Sequence, residues 1–432
     1  MNRIRAAAST TPGRYRLWSV VTAVLLLATA LAGWVAATAL RSGTERIRSN
    51  AGPVLVATQQ LVSSLAEADA AATAAFLSRP EDRESRTLYE QALARASAQI
   101  EDISALIGDD PATHASLKDL SVAVLRYAGL VEAARATNRA GVAEAPVLLV
   151  DALNLLAATV ADDVAGLTAA TQRRFDRDED RRDTGVLPAA AAAVLTLSVL
   201  VVAQVWVFRQ SRRLVNLPLA LASLLLIGGI GWLLAATVRS GTDIETARAD
   251  GYDSITLTAR IQSAAYRAKA DETVNLISAD PARRASAAAT AQALLGGRAT
   301  VEAVEAVRRG TASGLPGLLT DAAGVADSDR ERAAVAEMLV RWQRYQDTAA
   351  QVRAATDPEQ QRAAFVGPVS ATFNGFNFSV ESVLSDNRDQ FLDGLASATD
   401  RLGTVSLAAL LLPLLAALGA LAGFQLRLNE YP

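Results

Sequence analysis

Four long apolar runs interrupt an otherwise polar chain. They cover residues 17–40, 186–208, 217–238 and 404–426, and none of them contains a charged side chain. Each run can cross a hydrocarbon layer of about 30 Å as a helix of about 20 residues. The first run is too long for the apolar core of a secretory signal. The pattern therefore predicts four transmembrane helices that remain in the mature protein.

The two long segments between these runs have a helical pattern. Apolar side chains recur every three or four positions, as at Leu117, Leu120 and Val124. Clusters of Pro, Gly and Asp interrupt this period and mark helix ends. They fall at residues 78–82, 108–111 and 141–146 in the first segment and at 278–281, 310–329 and 356–359 in the second. We predict an all-α integral membrane protein with two extracytoplasmic four-helix bundles.

The two halves of the chain resemble each other. Residues 33–43 read GWVAATALRSG, and residues 231–241 read GWLLAATVRSG. Ser78, at the first helix break of one half, is matched by Ser278 in the other. Similarity at a long period indicates a duplicated unit, so we predict that each bundle and its two flanking spans form one copy of a tandem repeat.

Arginines set the expected orientation, because short cytoplasmic segments carry an excess of basic residues. Residues 1–16 hold four arginines and no acid, and residues 209–216 hold three arginines and no acid. Acidic residues outnumber basic ones in both long segments, by 22 to 16 and by 22 to 18. We expect both termini and the short loop in the cytoplasm and both bundles outside the cell membrane.

This reasoning predicts nine parts along the chain. They are a cytoplasmic tail (1–16), transmembrane helix 1 (17–40), bundle 1 (41–185), transmembrane helix 2 (186–208), a cytoplasmic loop (209–216), transmembrane helix 3 (217–238), bundle 2 (239–403), transmembrane helix 4 (404–426) and a cytoplasmic tail (427–432). The cytoplasmic parts are too short for a catalytic domain, so we expect any inward signal to pass to another protein.

The chain offers little for catalysis. It has no cysteine and one histidine, His114, and one histidine cannot form a zinc site. Walker, Rossmann, kinase and nucleophile-elbow motifs are absent from the sequence. Gln204 is almost the only strongly polar side chain in the predicted spans, which argues against a polar transport pathway. We expect no enzymatic activity, cofactor, metal or nucleic-acid partner.

Arginines and tyrosines at matched spacing form the first candidate contact site. An arginine can bind a carboxylate through two parallel hydrogen bonds. The candidates are Arg126, Tyr127 and Arg135 in the first bundle and Arg344, Tyr345 and Arg353 in the second. They either bind a ligand or partner or form structural ion pairs.

Two further groups are candidate contact sites. The second bundle contains a run of aromatic and amide side chains that is either core or a partner surface, since aromatics are enriched at interface centres. Its candidates are Phe373, Asn374, Phe376 and Asn377. On the cytoplasmic side, Arg209, Arg212 and Arg213 either set the topology and contact anionic lipid or dock a partner.

The doubled segments 33–43 and 231–241, together with the four spans, resemble a known architecture. It is that of the actinobacterial membrane protein that links an extracytoplasmic glutamine-binding lipoprotein to the cytoplasmic serine/threonine protein kinase G. The outer segments also resemble the four-helix-bundle sensor domains of chemoreceptors. The first resemblance implies a solute-binding lipoprotein as outer partner and a serine/threonine kinase as direct or indirect inner partner.

The functional hypothesis is a signal relay or scaffold across the membrane. On this hypothesis the outer bundles meet an amino-acid-binding protein, and small helix shifts reach the cytoplasmic side. Two alternatives stay open: a direct small-molecule sensor that binds its ligand in the bundles, and an accessory subunit of a transport system. The duplication also makes an internal pseudo-dimer of the two halves, or a homo-oligomer, an attractive arrangement.

Overall fold

The fold is all-α, as predicted, in the part of the chain that the computed structural model describes. That part comprises residues 11–78, 82–107, 111–159, 166–167, 169–171, 173, 176–177, 180, 185–211, 216–278, 281–311, 314–400 and 402–428. Its α-helices are α1 (Thr11–Arg46), α2 (Gly52–Leu77), α3 (Arg83–Leu106), α4 (Pro111–Arg139), α5 (Ala145–Thr159), α6 (Val186–Ser211), α7 (Leu217–Thr246), α8 (Asp253–Ser278), α9 (Pro281–Leu294), α10 (Val301–Arg308), α11 (Leu318–Val325), α12 (Asp329–Ala354), α13 (Pro358–Ala364), α14 (Ser370–Asp400) and α15 (Gly403–Leu428). Three π-helical segments are Ile47–Ala51, Ala247–Tyr252 and Phe365–Val369.

Four helical stretches of the described residues are long and apolar enough to cross a membrane, and each contains one predicted span. They are Gly13–Leu77, Val186–Arg209, Leu217–Thr246 and Glu359–Leu426. The chain is therefore a multi-pass membrane protein. Its spans lie in the first of two compact units, which comprises the described residues within Met1–Ser49, Phe175–Glu245 and Gly394–Pro432.

Small residues bring the spans close together within this membrane unit. Helix α1 packs against α6 and α15. A Cβ atom at Gly33 would lie 3.2 Å from the Ala409 carbonyl oxygen, and one at Gly423 would lie 3.2 Å from the Pro218 Cβ. Such glycines let helix backbones approach each other where lipid supplies no hydrophobic driving force. Gly33 and Gly423 thus serve packing between the spans.

Three polar side chains of the membrane unit, Gln204, Thr29 and Thr196, form hydrogen bonds inside it. Gln204 donates hydrogen bonds to the Leu219 carbonyl at 2.9 Å and to the Ser223 hydroxyl at 2.8 Å. The hydroxyls of Thr29 and Thr196 lie 2.7 Å apart and join α1 to α6. Hydrogen bonds of this kind hold helices together because lipid offers polar groups no alternative partner.

Both outer segments lie in the second compact unit, which comprises the described residues of Asn50–Arg174 and Thr246–Asp393. Helix α2 packs against α3 and, from one segment to the other, against α8. Ala70 and Leu77 of α2 belong to the hydrophobic core of the second segment. Alanine favours helix and leaves room for a close neighbour. The division into two independent bundles stays a prediction, and in this unit the two segments share a core.

The second outer segment has a helix break that we did not predict. Helix α9 ends at Leu294, and the short helices α10 and α11 follow a loop at residues 295–300. The Gly296 N–H donates a hydrogen bond to the Pro316 carbonyl at 2.7 Å, where a Cβ on Gly296 would meet Pro316 Cγ at 2.5 Å. Gly317 has a φ of 132°, which strongly favours glycine. The Gly296-Gly297 pair was the sequence signal for this break.

Two π-helical segments occupy matching positions in the two halves. Ile47–Ala51 lies between α1 and α2, and Ala247–Tyr252 lies 200 residues later between α7 and α8. The helix is continuous through both, so one uninterrupted helix runs over Gly13–Leu77 and another over residues 217–278. Such segments change the hydrogen-bond register locally without ending the helix, and they often mark functional sites.

Candidate functional site

The described residues of the outer unit form two large cavities. The first, which we call the Glu272 cavity, has a volume of about 580 Å³ and is lined by α8, α9 and α12. The second, the Lys269 cavity, has a volume of about 760 Å³ and is lined by α2, α3, α8 and the region from the third π segment into α14. Ligand pockets usually measure about 300–1,000 Å³, so both cavities are candidate binding sites.

The charges of the Glu272 cavity satisfy each other. Glu272 is 8% exposed, accepts a hydrogen bond from the Tyr345 hydroxyl at 3.1 Å and pairs with the Arg353 guanidinium. Burial, reinforced by the Glu272 charge, raises the pKa of Tyr345 well above its ordinary value, so the phenol stays a hydrogen-bond donor. Arg353 and Tyr345 are therefore already engaged by a residue of the protein itself.

The first half has the same tyrosine in the same kind of place. Tyr127 is fully buried and lies against Tyr89, with ring centroids 6.4 Å apart. Its pKa is raised by burial and by the nearby charge of Asp69. Arg135 pairs with Glu132 of its own helix at 2.6 Å. Both candidate tyrosines thus lie in hydrophobic cores.

The remaining arginines of this candidate set lie on the surface. Arg126 and Arg344 are exposed, and neither lines a large cavity of the outer unit described above. The structure brings Tyr345 and Arg353 together around Glu272, and it leaves Arg344 outside that group. A ligand role for the six residues stays a prediction.

The aromatic and amide run divides between core and cavity. Phe373 and Phe376 are buried beside Trp342 and Tyr345, with ring centroids between 5.0 and 5.3 Å apart. Asn374 lines the Lys269 cavity. The two phenylalanines agree with the core interpretation. The Asn374 amide is available to a ligand in the cavity.

A second amide of the same run is tied into a short network. Asn377 also lines the Lys269 cavity, where it accepts a hydrogen bond from Gln262 at 2.9 Å and donates one to Glu381 at 2.8 Å. Phe378, the last residue of the run, is 68% exposed and lines the same cavity.

Lys269 is the residue that sequence reasoning missed. It is 7% exposed, lines its cavity, and places Nζ 4.5 Å from the ring centroid of Phe373. Burial lowers its pKa to about 8, although the negative charges of Glu67 and Glu84 oppose this shift. Its rarity was the available signal, since Lys269 and Lys118 are the two lysines among 42 basic residues.

Carboxylates line the same cavity. Glu67 forms an ion pair with Arg95. Asp82 caps the start of α3, where it accepts a hydrogen bond from the Ser85 N–H at 2.9 Å. Glu84 and Glu381 complete the set. The cavity therefore combines two cations, Lys269 and Arg95, with four carboxylates.

The cytoplasmic candidate set is only partly described. Arg209 is exposed in the last turn of α6. Arg212 and Arg213 lie outside the described residues.

The first outer segment is similar to a known domain family. Residues 43–180 match the family model of the actinobacterial sensor domain. This match supports a sensor-type role for the segment, and domains of that family are not in general enzymes. It supplies the α2 and α3 walls of the Lys269 cavity. No curated protein matches the chain.

Proposed function

We propose that the protein is a membrane sensor that transmits the state of its outer unit through the helices that continue into the spans. One observation carries this proposal: the uninterrupted helix Gly13–Leu77 contains the first span and also bears Glu67 and Ala70, which line the Lys269 cavity. A ligand or partner that moves this part of the helix therefore acts on a helix that continues into the first span.

The transmitted change is a small shift or rotation of helices. Switching transitions commonly displace a helix by about 1–2 Å. The π segments Ile47–Ala51 and Ala247–Tyr252 support this mechanism, because a helix can change register there without breaking. The sensor class of residues 43–180 supports the sensing role.

The partners are proposed from the resemblance noted above. On that basis a solute-binding lipoprotein docks on the outer unit, and a serine/threonine kinase responds inside. Crosslinking in intact cells, followed by mass spectrometry of the proteins recovered with this chain, tests both partners. Recovery of a solute-binding lipoprotein and a kinase supports the relay, whereas recovery of the chain alone contradicts it.

Helix continuity is tested by breaking it. The rings of Trp18 and Trp206 lie 6.4 Å apart in the membrane unit. Because the chain has no cysteine, disulfide formation in a variant with both Trp18→Cys and Trp206→Cys reports on this unit. Cells are shifted between medium without amino acids and medium with all twenty, and the disulfide yield is followed. We expect the yield to change in this reporter protein.

Gly-Pro pairs inserted after Ser42 and Ser240 should abolish that change, because proline breaks a helix. A Gly-Pro pair inserted after Arg298, in the loop at residues 295–300, is the matched control and should leave the change intact. An unaltered response in the Ser42 and Ser240 insertions would contradict coupling through these helices.

A further inference from the structure

We infer that the Lys269 cavity binds a small zwitterion, a molecule whose carboxylate pairs with Lys269 and whose ammonium group faces the acidic lining. This inference rests on the proposed sensing function only for its physiological meaning. Binding itself can be measured separately.

The Lys269 ammonium group has no hydrogen-bond acceptor among the described residues. It can donate three hydrogen bonds, yet among the described residues no oxygen atom accepts one from Nζ, and its direct contact is the Phe373 ring. The side chain is more than nine-tenths buried and lines the cavity. An ammonium group on a largely buried side chain is less well hydrated than one in bulk water, and a carboxylate bound in the cavity would accept its hydrogen bonds.

The choice of lysine at this position supports a ligand role. The chain uses arginine for nearly all of its basic positions, and the other lysine, Lys118, is exposed. Arginine is the better residue for fixed ion pairs, such as the pair of Arg95 with Glu67 in the same cavity. Lysine presents a compact ammonium group that a small ligand can approach from the cavity.

The acidic lining requires a positive charge on the ligand as well. Four carboxylates face two cations, so an anion alone would meet net repulsion. Glu67 and Asp82 are engaged by Arg95 and by the first turn of α3. The Glu84 side chain forms no hydrogen bond or ion pair with another side chain among the described residues, and Glu381 accepts one hydrogen bond, from the Asn377 amide. These two carboxylates can receive an ammonium group.

The cavity has room for the organic body of such a molecule. Its volume is about 760 Å³, and its apolar lining includes Ala74, Leu88 and Val366. Asn374 and Ser85 add neutral polar groups. Pockets for small polar ligands usually combine an apolar surface with a few charged or polar groups. The Lys269 cavity has this composition, with one buried cation and two carboxylates that can accept further hydrogen bonds.

Calorimetry on the purified full-length protein in lipid nanodiscs tests the inference. The probes are the twenty common L-amino acids and the series glycine, β-alanine, 4-aminobutyrate and 6-aminohexanoate, which varies the separation of the two charges. Acetate, propionate, butyrate and hexanoate are the matched acids without an amine. We expect at least one zwitterion to bind about tenfold or more tightly than its matched acid.

Variants identify the residues that bind. Lys269→Met should weaken zwitterion binding by about tenfold or more, and Lys118→Met, the control lysine, should leave it unchanged. Glu381→Gln should weaken binding of the zwitterion more than binding of the matched acid. Thermal unfolding of each variant checks that it is folded, and Lys269→Met is expected to fold because it removes a buried charge.

Three results would overturn the inference: no binding of any probe, equal binding of the matched acids, or unchanged binding in folded Lys269→Met. Failure of the sensing function has a different signature. Zwitterion binding without any change in the Trp18–Trp206 cysteine reporter would leave the site in place and contradict signalling. A reporter response without binding would place sensing at another site.

Discussion

Helices α2 and α8 occupy matching positions in the two halves and carry different charges beside the cavities. Each has 26 residues, and at an offset of 200 Ser63, Thr73 and Ser78 return as Ser263, Thr273 and Ser278. At the same offset Glu67 and Asp69 are replaced by Arg267 and Lys269, and Ala72 by Glu272. Three of the positions that differ, Glu67, Lys269 and Glu272, supply charged groups to the two cavities.

This comparison separates packing residues from ligand candidates. The Arg-Tyr pairs recur in both halves, and their tyrosines are buried. Lys269 and Glu272 have no counterpart of the same kind in the first half, and both line cavities. The two cavities differ in turn, because Glu272 has partners within the protein and Lys269 lacks a hydrogen-bond acceptor among the described residues.

Lys269→Asp, which gives α8 the residue of α2 at this position, should have the largest effect. It places an unpaired carboxylate in a buried position near Glu67 and Glu84, and uncompensated buried charges cost about 3–5 kcal/mol. The free energy of unfolding, measured by thermal or denaturant unfolding in detergent, should fall by that order. Lys118→Asp is the control. Equal losses of unfolding free energy in the two variants would show that position 269 of α8 has no special role.

Glu272→Ala, which gives α8 the alanine of α2, should have an intermediate effect. The Tyr345 hydroxyl would lose its acceptor and Arg353 its ion pair, and a buried unsatisfied group costs about 1–3 kcal/mol. Glu272→Gln should recover part of the loss, since an amide oxygen still accepts from Tyr345. Equal stability of Glu272→Ala and the natural protein would show that the contacts of Glu272 with Tyr345 and Arg353 do not stabilise the fold.

Lys269→Met should raise stability at pH 7 by about 1–3 kcal/mol. Burial lowers the pKa of Lys269 to about 8, from an ordinary 10.5, so folding carries a cost when the group is charged. That cost is full below pH 8 and disappears as the pH rises towards 10.5. The difference in unfolding free energy between variant and natural protein should therefore shrink with rising pH, and a constant difference would contradict a buried, charged Lys269.

Thr73→Val and Thr273→Val should have the smallest effects and equal ones. Each hydroxyl is buried and donates to a carbonyl one turn earlier, that of Asp69 at 3.1 Å or of Lys269 at 2.7 Å. Loss of such a bond costs about 1 kcal/mol or less. A large difference between the two unfolding free energies would mean that matched positions of α2 and α8 are not equivalent.

The sequence predicted the helices well because their signals are local. Apolar runs gave the spans, and Asp82, Gly141 and Pro281 marked helix ends that the structure contains. The loop at residues 295–300 was missed because the Gly296-Gly297 signal was outweighed by the expectation that the second half copies the first. A break of this kind depends on the contact of Gly296 with Pro316.

The candidate site was predicted less well because it depends on packing between distant segments. Lys269 reaches its cavity only when α8 lies against α2 and α14, about two hundred and one hundred residues away in sequence. From the sequence alone, Lys269 cannot be distinguished from a charged residue on the solvent-exposed face of a helix. Asn374 and Asn377, which line the same cavity, were candidates from the sequence, since their cluster of amides and aromatics is visible without the fold.

The most direct test of the account is calorimetric titration of the amino-acid and ω-amino-acid probes into the natural protein and Lys269→Met, side by side in nanodiscs. The account predicts binding of a zwitterion by the natural protein and a loss of about tenfold or more in affinity in a variant that unfolds at a higher temperature. Unchanged affinity in the folded variant, or the absence of binding in both proteins, would contradict it.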